Sequence, residues 1–263
     1  MRYFDAHCHI QFDTYDEDRD ALIAQMKEEG IHGLVVGVDY ESSKKAVALA
    51  QKHEHLYASV GLHPNSAADW KYSDASLYLN LAEDGKVVAI GECGLDYFRP
   101  ENPDAAKQKQ REVFQRHIEL AAKVNKPLMI HARPSKGTVD AYEEALTMLE
   151  SARNEYPNLR GNFHFFVGNT EIARRAVVLD FTLSYTAVLT FARDYDEIVR
   201  SIPLTHILSE TDSPFVAPAS RRGQRNDPLS VPEIVKKIAE IRGEDGETVR
   251  STLSANACRV FKL

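Results

Sequence analysis

Cysteine is scarce in this chain of 263 residues: Cys8, Cys93 and Cys258 are too few, and odd in number, for a disulfide framework. No uninterrupted apolar run is long enough to span a bilayer. No apolar targeting segment precedes the first strand-like residues, Met1-Arg2-Tyr3-Phe4-Asp5, so the expected location is cytoplasmic. Gly and Pro are not enriched, and no low-complexity linker or short internal repeat divides the chain. Residues 1–263 are therefore expected to form one domain around one large core. Positive charge is also short, with 32 Lys and Arg against 39 Asp and Glu, a net charge of −7. That balance excludes a surface that coats nucleic acid non-specifically. It leaves room for a nucleic-acid substrate gripped locally by a metal site and a few arginines.

What the chain does have is alternation. Strand-like runs at residues 2–10, Ile31–Val38, Leu56–Leu62, Val87–Gly91, Pro127–His131, Gly161–Phe166, Phe181–Leu189 and Ile207–Thr211 are separated by helix-like segments. The clearest helix covers about residues 105–124, where Val113, Phe114, His117, Ile118 and Ala121 recur at helical spacing. The chain is expected to close on helices at Val231–Arg242 and Glu247–Phe261. Strands that each feed a helix must run parallel, and their near-continuous apolar character fits burial on both faces. The predicted fold is α/β, a single-domain (β/α)8 TIM barrel.

Five of these strands lead into side chains that ligate metals. His7 and His9 are two residues apart on a strand and so share a face, while Cys8 and, by the same alternation, Cys93 turn away into packing. Glu92 follows strand four between two glycines, where a carboxylate can bridge two cations through its two oxygens. His131 ends strand five and His164 sits inside strand six, and both would serve a second ion beside the first. Asp212 follows strand eight and can both ligate an ion and accept a proton from its water. Glu210, deeper in, is expected to order neighbouring groups. The predicted ligand set is His7, His9, Glu92, His131, His164 and Asp212, with Glu92 and Asp212 as the catalytic acids. Such a bridge requires Glu92 to lie within reach of both His7 and His131.

Other residues are assigned to substrate. Arg133 could neutralise a phosphate, and His63, after strand three, could donate a hydrogen bond to substrate or pack beneath Pro64. Arg221, Arg222 and Arg225 form a basic cluster in the loop after strand eight, readable as a solvated loop or as a phosphate contact. His117 is read as packing, and His32, His53, His55 and His206 as structural residues on the opposite end of the barrel.

The segments Asp5-Ala6-His7-Cys8-His9, Gly61-Leu62-His63-Pro64, Gly91-Glu92-Cys93-Gly94-Leu95-Asp96-Tyr97, Ile130-His131-Ala132-Arg133, His164-Phe165-Phe166-Val167-Gly168 and Glu210-Thr211-Asp212-Ser213-Pro214 resemble, in order and across nearly the whole chain, the TatD family of metal-dependent hydrolases. The resemblance implies two divalent ions (magnesium, zinc or manganese), phosphodiester hydrolysis with deoxyribonuclease and exonuclease character, DNA as substrate, and the six ligands named above. Two departures fall near the pocket: Pro134-Ser135-Lys136 replaces an acidic-then-small continuation, and Val167 stands where the family commonly has serine. A metal-dependent ester, lactone or amide hydrolase is the alternative enzyme. A barrel that binds metal without turnover is the alternative outside enzymes, and the presence of both Glu92 and Asp212 weighs against it.

Overall fold

The computed structural model of the chain describes residues 1–98 and 103–263. Among them eight strands, all parallel, follow one another in chain order: β1 (Tyr3–Cys8), β2 (Ile31–Val36), β3 (Leu56–Val60), β4 (Val87–Asp96), β5 (Leu128–Arg133), β6 (Gly161–Phe163), β7 (Thr182–Tyr185) and β8 (Ile207–Ser209). Helices α1 (Arg19–Glu28), α2 (Tyr40–Lys52), α3 (Asp74–Ala82), α4 (Pro103–Val124), α5 (Asp140–Glu155), α6 (Thr170–Val178) and α7 (Asp196–Ser201) carry the chain back between them, and α8 (Val231–Arg242) and α9 (Gly246–Phe261) complete the ring. This is the predicted (β/α)8 barrel. No helix among the described residues is long and apolar enough to cross a membrane.

The barrel closes between its first and last strands by a seam rather than a long ladder. Cys8 bridges to Ser213, His9 N–H donates to the Ser213 carbonyl (2.8 Å), and Asp212 N–H donates to the His7 carbonyl (2.9 Å). Asp5 adds a side-chain stitch, its carboxyl oxygens accepting from Thr211 N–H (2.8 Å) and Thr211 Oγ (2.6 Å). Two apolar layers support this wall. One lies between strands and helices; the other fills the barrel floor, where Phe4, Ala6, Val36, Met129 and Leu208 meet Val260 and Phe261 of α9. Phe261 stacks on Phe4 at 5.6 Å and so plugs the N-terminal end of the strands.

Three expected strand ends differ by three residues or more. β4 runs on through Gly91 and Gly94 to Asp96 instead of stopping at Gly91. Added Cβ atoms there would lie 2.2 Å from the Met129 carbonyl oxygen and 2.1 Å from that of His131, so these glycines mark a close approach of β5, not a strand end. β6 stops at Phe163. The expected strand Phe181–Leu189 stops at Tyr185, and residues Ala187–Thr190 form a short 3-10 turn begun by Thr186, whose Oγ accepts from Val188 N–H (3.3 Å).

His117, on α4, is fully buried against Trp70 and Tyr78. Its Nε2 accepts from Leu62 N–H (3.1 Å) while Nδ1–H donates to the Val113 carbonyl (2.9 Å), so the neutral ring pins the turn that carries His63. Burial lowers its pKa from 6.5 to about 4. As pH falls the unfolded chain therefore takes up this proton first. The stability that neutral His117 contributes is complete above about pH 6.5 and is lost as pH falls toward 4. Between pH 7.5 and 5 the loss amounts to about 2 kcal/mol for this one group. Urea unfolding of His117→Gln should show a pH dependence shallower by that amount; an unchanged slope would contradict the assignment.

Candidate metal centre

At the C-terminal ends of the strands the predicted ligands converge. Two of them sit on bulges. Between Asp5 and Cys8 β1 advances three residues while β2 advances two, and between Ile90 and Cys93 β4 does the same against β5. A bulge shifts the alternation by one residue. Phe4 and Ala6 can thus fill the barrel floor while His7 and His9 also face its interior, and Cys8 turns out to the Leu34 carbonyl (3.4 Å). Cys93 likewise packs away from the cluster, toward the Met129 carbonyl (3.7 Å).

Glu92 is the hub. One carboxylate oxygen lies 2.9 Å from His131 Nδ1, 2.9 Å from His164 Nε2 and 3.5 Å from His63 Nε2. The other lies 3.4 Å from His7 Nε2 and 3.8 Å from His9 Nε2. Asp212 Oδ1 stands 3.5 Å from His9 Nε2 and 3.8 Å from His7 Nε2. The reach that a bridging Glu92 requires is met on both sides. Burial opposes its ionisation, but the imidazoles of His164, His63 and His7 outweigh that and hold its carboxyl well below the usual range.

Hydrogen bonds outside the cluster aim His9 and His131, and a carboxylate faces the far side of His164. His9 Nδ1–H donates to the Val36 carbonyl (2.8 Å), which leaves Nε2 with its lone pair toward Asp212; the ring also stacks on Phe12 at 4.7 Å. His131 turns Nε2 to Asp96 Oδ2 (3.2 Å) and Nδ1 to Glu92. His164 places Nδ1 3.6 Å from Glu210 Oε1 and stacks on His7 at 4.0 Å. Glu210 is itself fixed by Phe165 N–H (2.6 Å) and Ser184 Oγ (2.5 Å), in the deeper ordering position expected of it. Glu210 and Asp212 both turn toward the cluster, Glu210 beside His164 and Asp212 beside His9, although β8 ends at Ser209 and Asp212 adopts φ 51°.

The donor set fits a divalent pair. Ligand atoms about 2.0–2.2 Å from one ion sit about 3.3–3.6 Å apart. The His7–Glu92 and His9–Asp212 separations match that spacing better than a direct N–H···O bond, whose mode is about 2.9 Å, while His131 and His164 lie at that direct distance from Glu92. His7, His9 and Asp212 form one compact group of donors, and His63, Glu92 and His131 another. His63 differs within its group: its Nδ1 accepts from Asn65 N–H (3.2 Å), and burial beside His131 lowers its pKa to about 4. The neutral ring therefore keeps its proton on Nε2 and faces the centre as a donor.

The centre opens into a cavity of about 630 Å³. Arg133 and Val167 line it, and the Arg133 guanidinium lies 4.1 Å from the centre of the Phe98 ring. The three loop arginines part company. Arg221 is held by Asp227 (2.7 Å) and Arg225 by Asp18 (3.0 Å), so these two meet local acids rather than the cavity wall. Arg222 lies over Phe191. Sequence reasoning gave no role to Asp96 or Asp5; the signal for Asp96 was its place at the end of Gly91-Glu92-Cys93-Gly94-Leu95-Asp96, four residues past the hub.

The sequence profile of the family described as TatD related DNase matches residues 4–262. The chain belongs to the TatD-related DNase family. Two relatives of similar length place it further: an uncharacterized metal-dependent hydrolase of Bacillus subtilis, YabD (36% identity over 263 residues, 99% of each chain), and the 3′-5′ ssDNA/RNA exonuclease TatD of Cronobacter sakazakii (32% identity, 98% of this chain and 97% of that one). Among solved structures, the TatD homologue YJJV of Escherichia coli K12 superposes with a TM-score of 0.89 at 25% identity, covering 100% of this chain and 98% of that one.

An ion bound only by the folded TatD-type site must stabilise it. Adding zinc or manganese to metal-depleted protein should raise its Tm. Glu210→Gln should weaken metal affinity by about 10–100-fold through loss of His164 orientation. Calorimetric titration that finds wild-type affinity in the variant would remove Glu210 from that role.

Proposed function

We propose that this chain is a divalent-metal-dependent phosphodiesterase that removes nucleotides from an end of single-stranded nucleic acid. The observation that carries the reading is the position of the Glu92 carboxylate, one oxygen toward His7 and His9 and the other toward His131 and His164, at the floor of an open cavity. His7, His9 and Asp212 would hold one ion, His131 and His164 the other, with Glu92 between them. Magnesium, zinc and manganese are all compatible with imidazole and carboxylate donors, the imidazoles favouring zinc. A bound pair supplies an activated water and neutralises charge developing on the phosphoryl oxygens.

The chain's own groups then have defined tasks. Asp212, at the cavity side of the cluster, takes the proton from the attacking water as its oxygen bonds to phosphorus. The P–O bond to the departing alkoxide breaks, and that oxygen receives the proton held by Asp212. His63 Nε2–H points at the same volume and donates to a phosphate oxygen. Arg133, exposed on the cavity wall, offsets phosphate charge. Arg221 and Arg225, already paired, are not assigned to substrate. The names of relatives that act as 3′-5′ exonucleases on ssDNA and RNA support the substrate class and the terminal mode of attack.

Asp212→Asn keeps the size and removes the base. With manganese and a 5′-labelled single-stranded oligonucleotide, kcat should fall about 10²–10⁴-fold while the circular dichroism spectrum is unchanged. Retention of wild-type kcat would rule out Asp212 as base. Intact oligonucleotide alongside hydrolysis of lactones or carboxyl esters would replace the nuclease reading with the ester-hydrolase one.

A further inference from the structure

Beyond the metal centre the cavity wall changes character. Phe12, Phe165, Val167, Val188, Phe215 and Val216 line it, side chains that can offer a surface to a base but cannot read its edges. Phe215, 52% exposed, follows Asp212 by three residues in a tight turn closed by Phe215 N–H to the Asp212 carbonyl (2.9 Å), so it stands beside the scissile position.

A second aromatic adjoins the cavity wall at Val188. Val188, in the cavity wall, and Phe191 are three residues apart across a 3-10 turn, in which residues i and i+3 share a face; Phe191 N–H donates to the Val188 carbonyl (3.2 Å). Phe191 is 39% exposed and carries the Arg222 guanidinium 3.9 Å from its ring centre. The loop holding Arg222 is tied to this turn by Ala219 N–H to Thr190 Oγ (2.9 Å). Among the described residues no carboxylate is within ion-pair distance of Arg222, whereas Arg221 and Arg225 each have one. One loop arginine thus keeps its charge available, and it is the one lying on an exposed ring.

We propose that Phe215 and the Phe191–Arg222 pair form a two-step track for single-stranded nucleic acid, each ring taking the face of one base beyond the scissile nucleotide and Arg222 meeting the phosphate between them. The inference rests on the nuclease reading above and adds where the strand runs: over residues outside the metal centre that hold several nucleotides without base preference. A duplex keeps its base faces stacked and cannot use such rings.

The readout is the advantage of length, kcat/KM for an eight-nucleotide thymidine strand divided by that for a thymidine dinucleotide. Stacking on one ring changes affinity by about tenfold, so Phe191→Ala and Arg222→Ala should each lower this ratio by about tenfold, and Phe191→Tyr should restore it. Fluorescence anisotropy with a labelled strand should show the same loss in binding. A ratio that stays at the wild-type value, or a Phe191→Tyr variant as impaired as the alanine, overturns the track while leaving the nuclease. A wild-type protein that cuts neither substrate overturns both, and the ester test given above identifies that case.

Discussion

A carboxylate that must stay charged inside a protein has to be surrounded by groups that want its charge, and Glu92 is 3% exposed with five imidazoles around it. An unpaired buried charge costs several kcal/mol, and removing one partner of such a pair typically costs about 3–5 kcal/mol. The rest of the centre can be read as the means of keeping that arrangement. The β5 backbone comes close enough to bring His131 to 2.9 Å, and only residues without a side chain permit it at Gly91 and Gly94. Asp96, Glu210 and the Val36 carbonyl each take hold of the far side of an imidazole, so the nearer nitrogen is turned toward the hub.

The same strands also have to hold the barrel together, and the two demands conflict. A regular β1 that sent Phe4 and Ala6 into the floor would send Cys8, not His7 and His9, into the centre. One extra residue in β1 and one in β4 resolve this by changing phase partway along the strand. Below the bulges the inward side chains are apolar and meet α9; above them they are the imidazoles and the carboxylate of the cluster.

The fold was legible because eight apolar runs alternate with helical spacing, a pattern that tolerates errors of a few residues at each end. The convergence of the candidate ligands was legible because His7, His9, Glu92, His131, His164 and Asp212 each lie in or just after such a run. What could not be read lies in features without a local pattern. The bulges leave no mark on composition. Gly91 and Gly94 look like strand terminators until β5 is seen against them. The fate of Arg221, Arg222 and Arg225 depended on Asp227, Phe191 and Asp18, partners whose proximity only the folded loop decides. Asp96 gained its role from its distance to His131, which no spacing in β4 alone reveals.

The seam between the first strand and the segment after the last one lends the centre a mechanical meaning. His7 and His9 stand on one bank and Asp212 on the other, with Asp5 and Thr211 clasped just below. A cation gripping both banks would be a rivet across this junction. Occupancy and closure would then be coupled: stripping the ion would leave the seam to its backbone bonds and the Asp5–Thr211 clasp, and loosening the seam would weaken the hold on the ion.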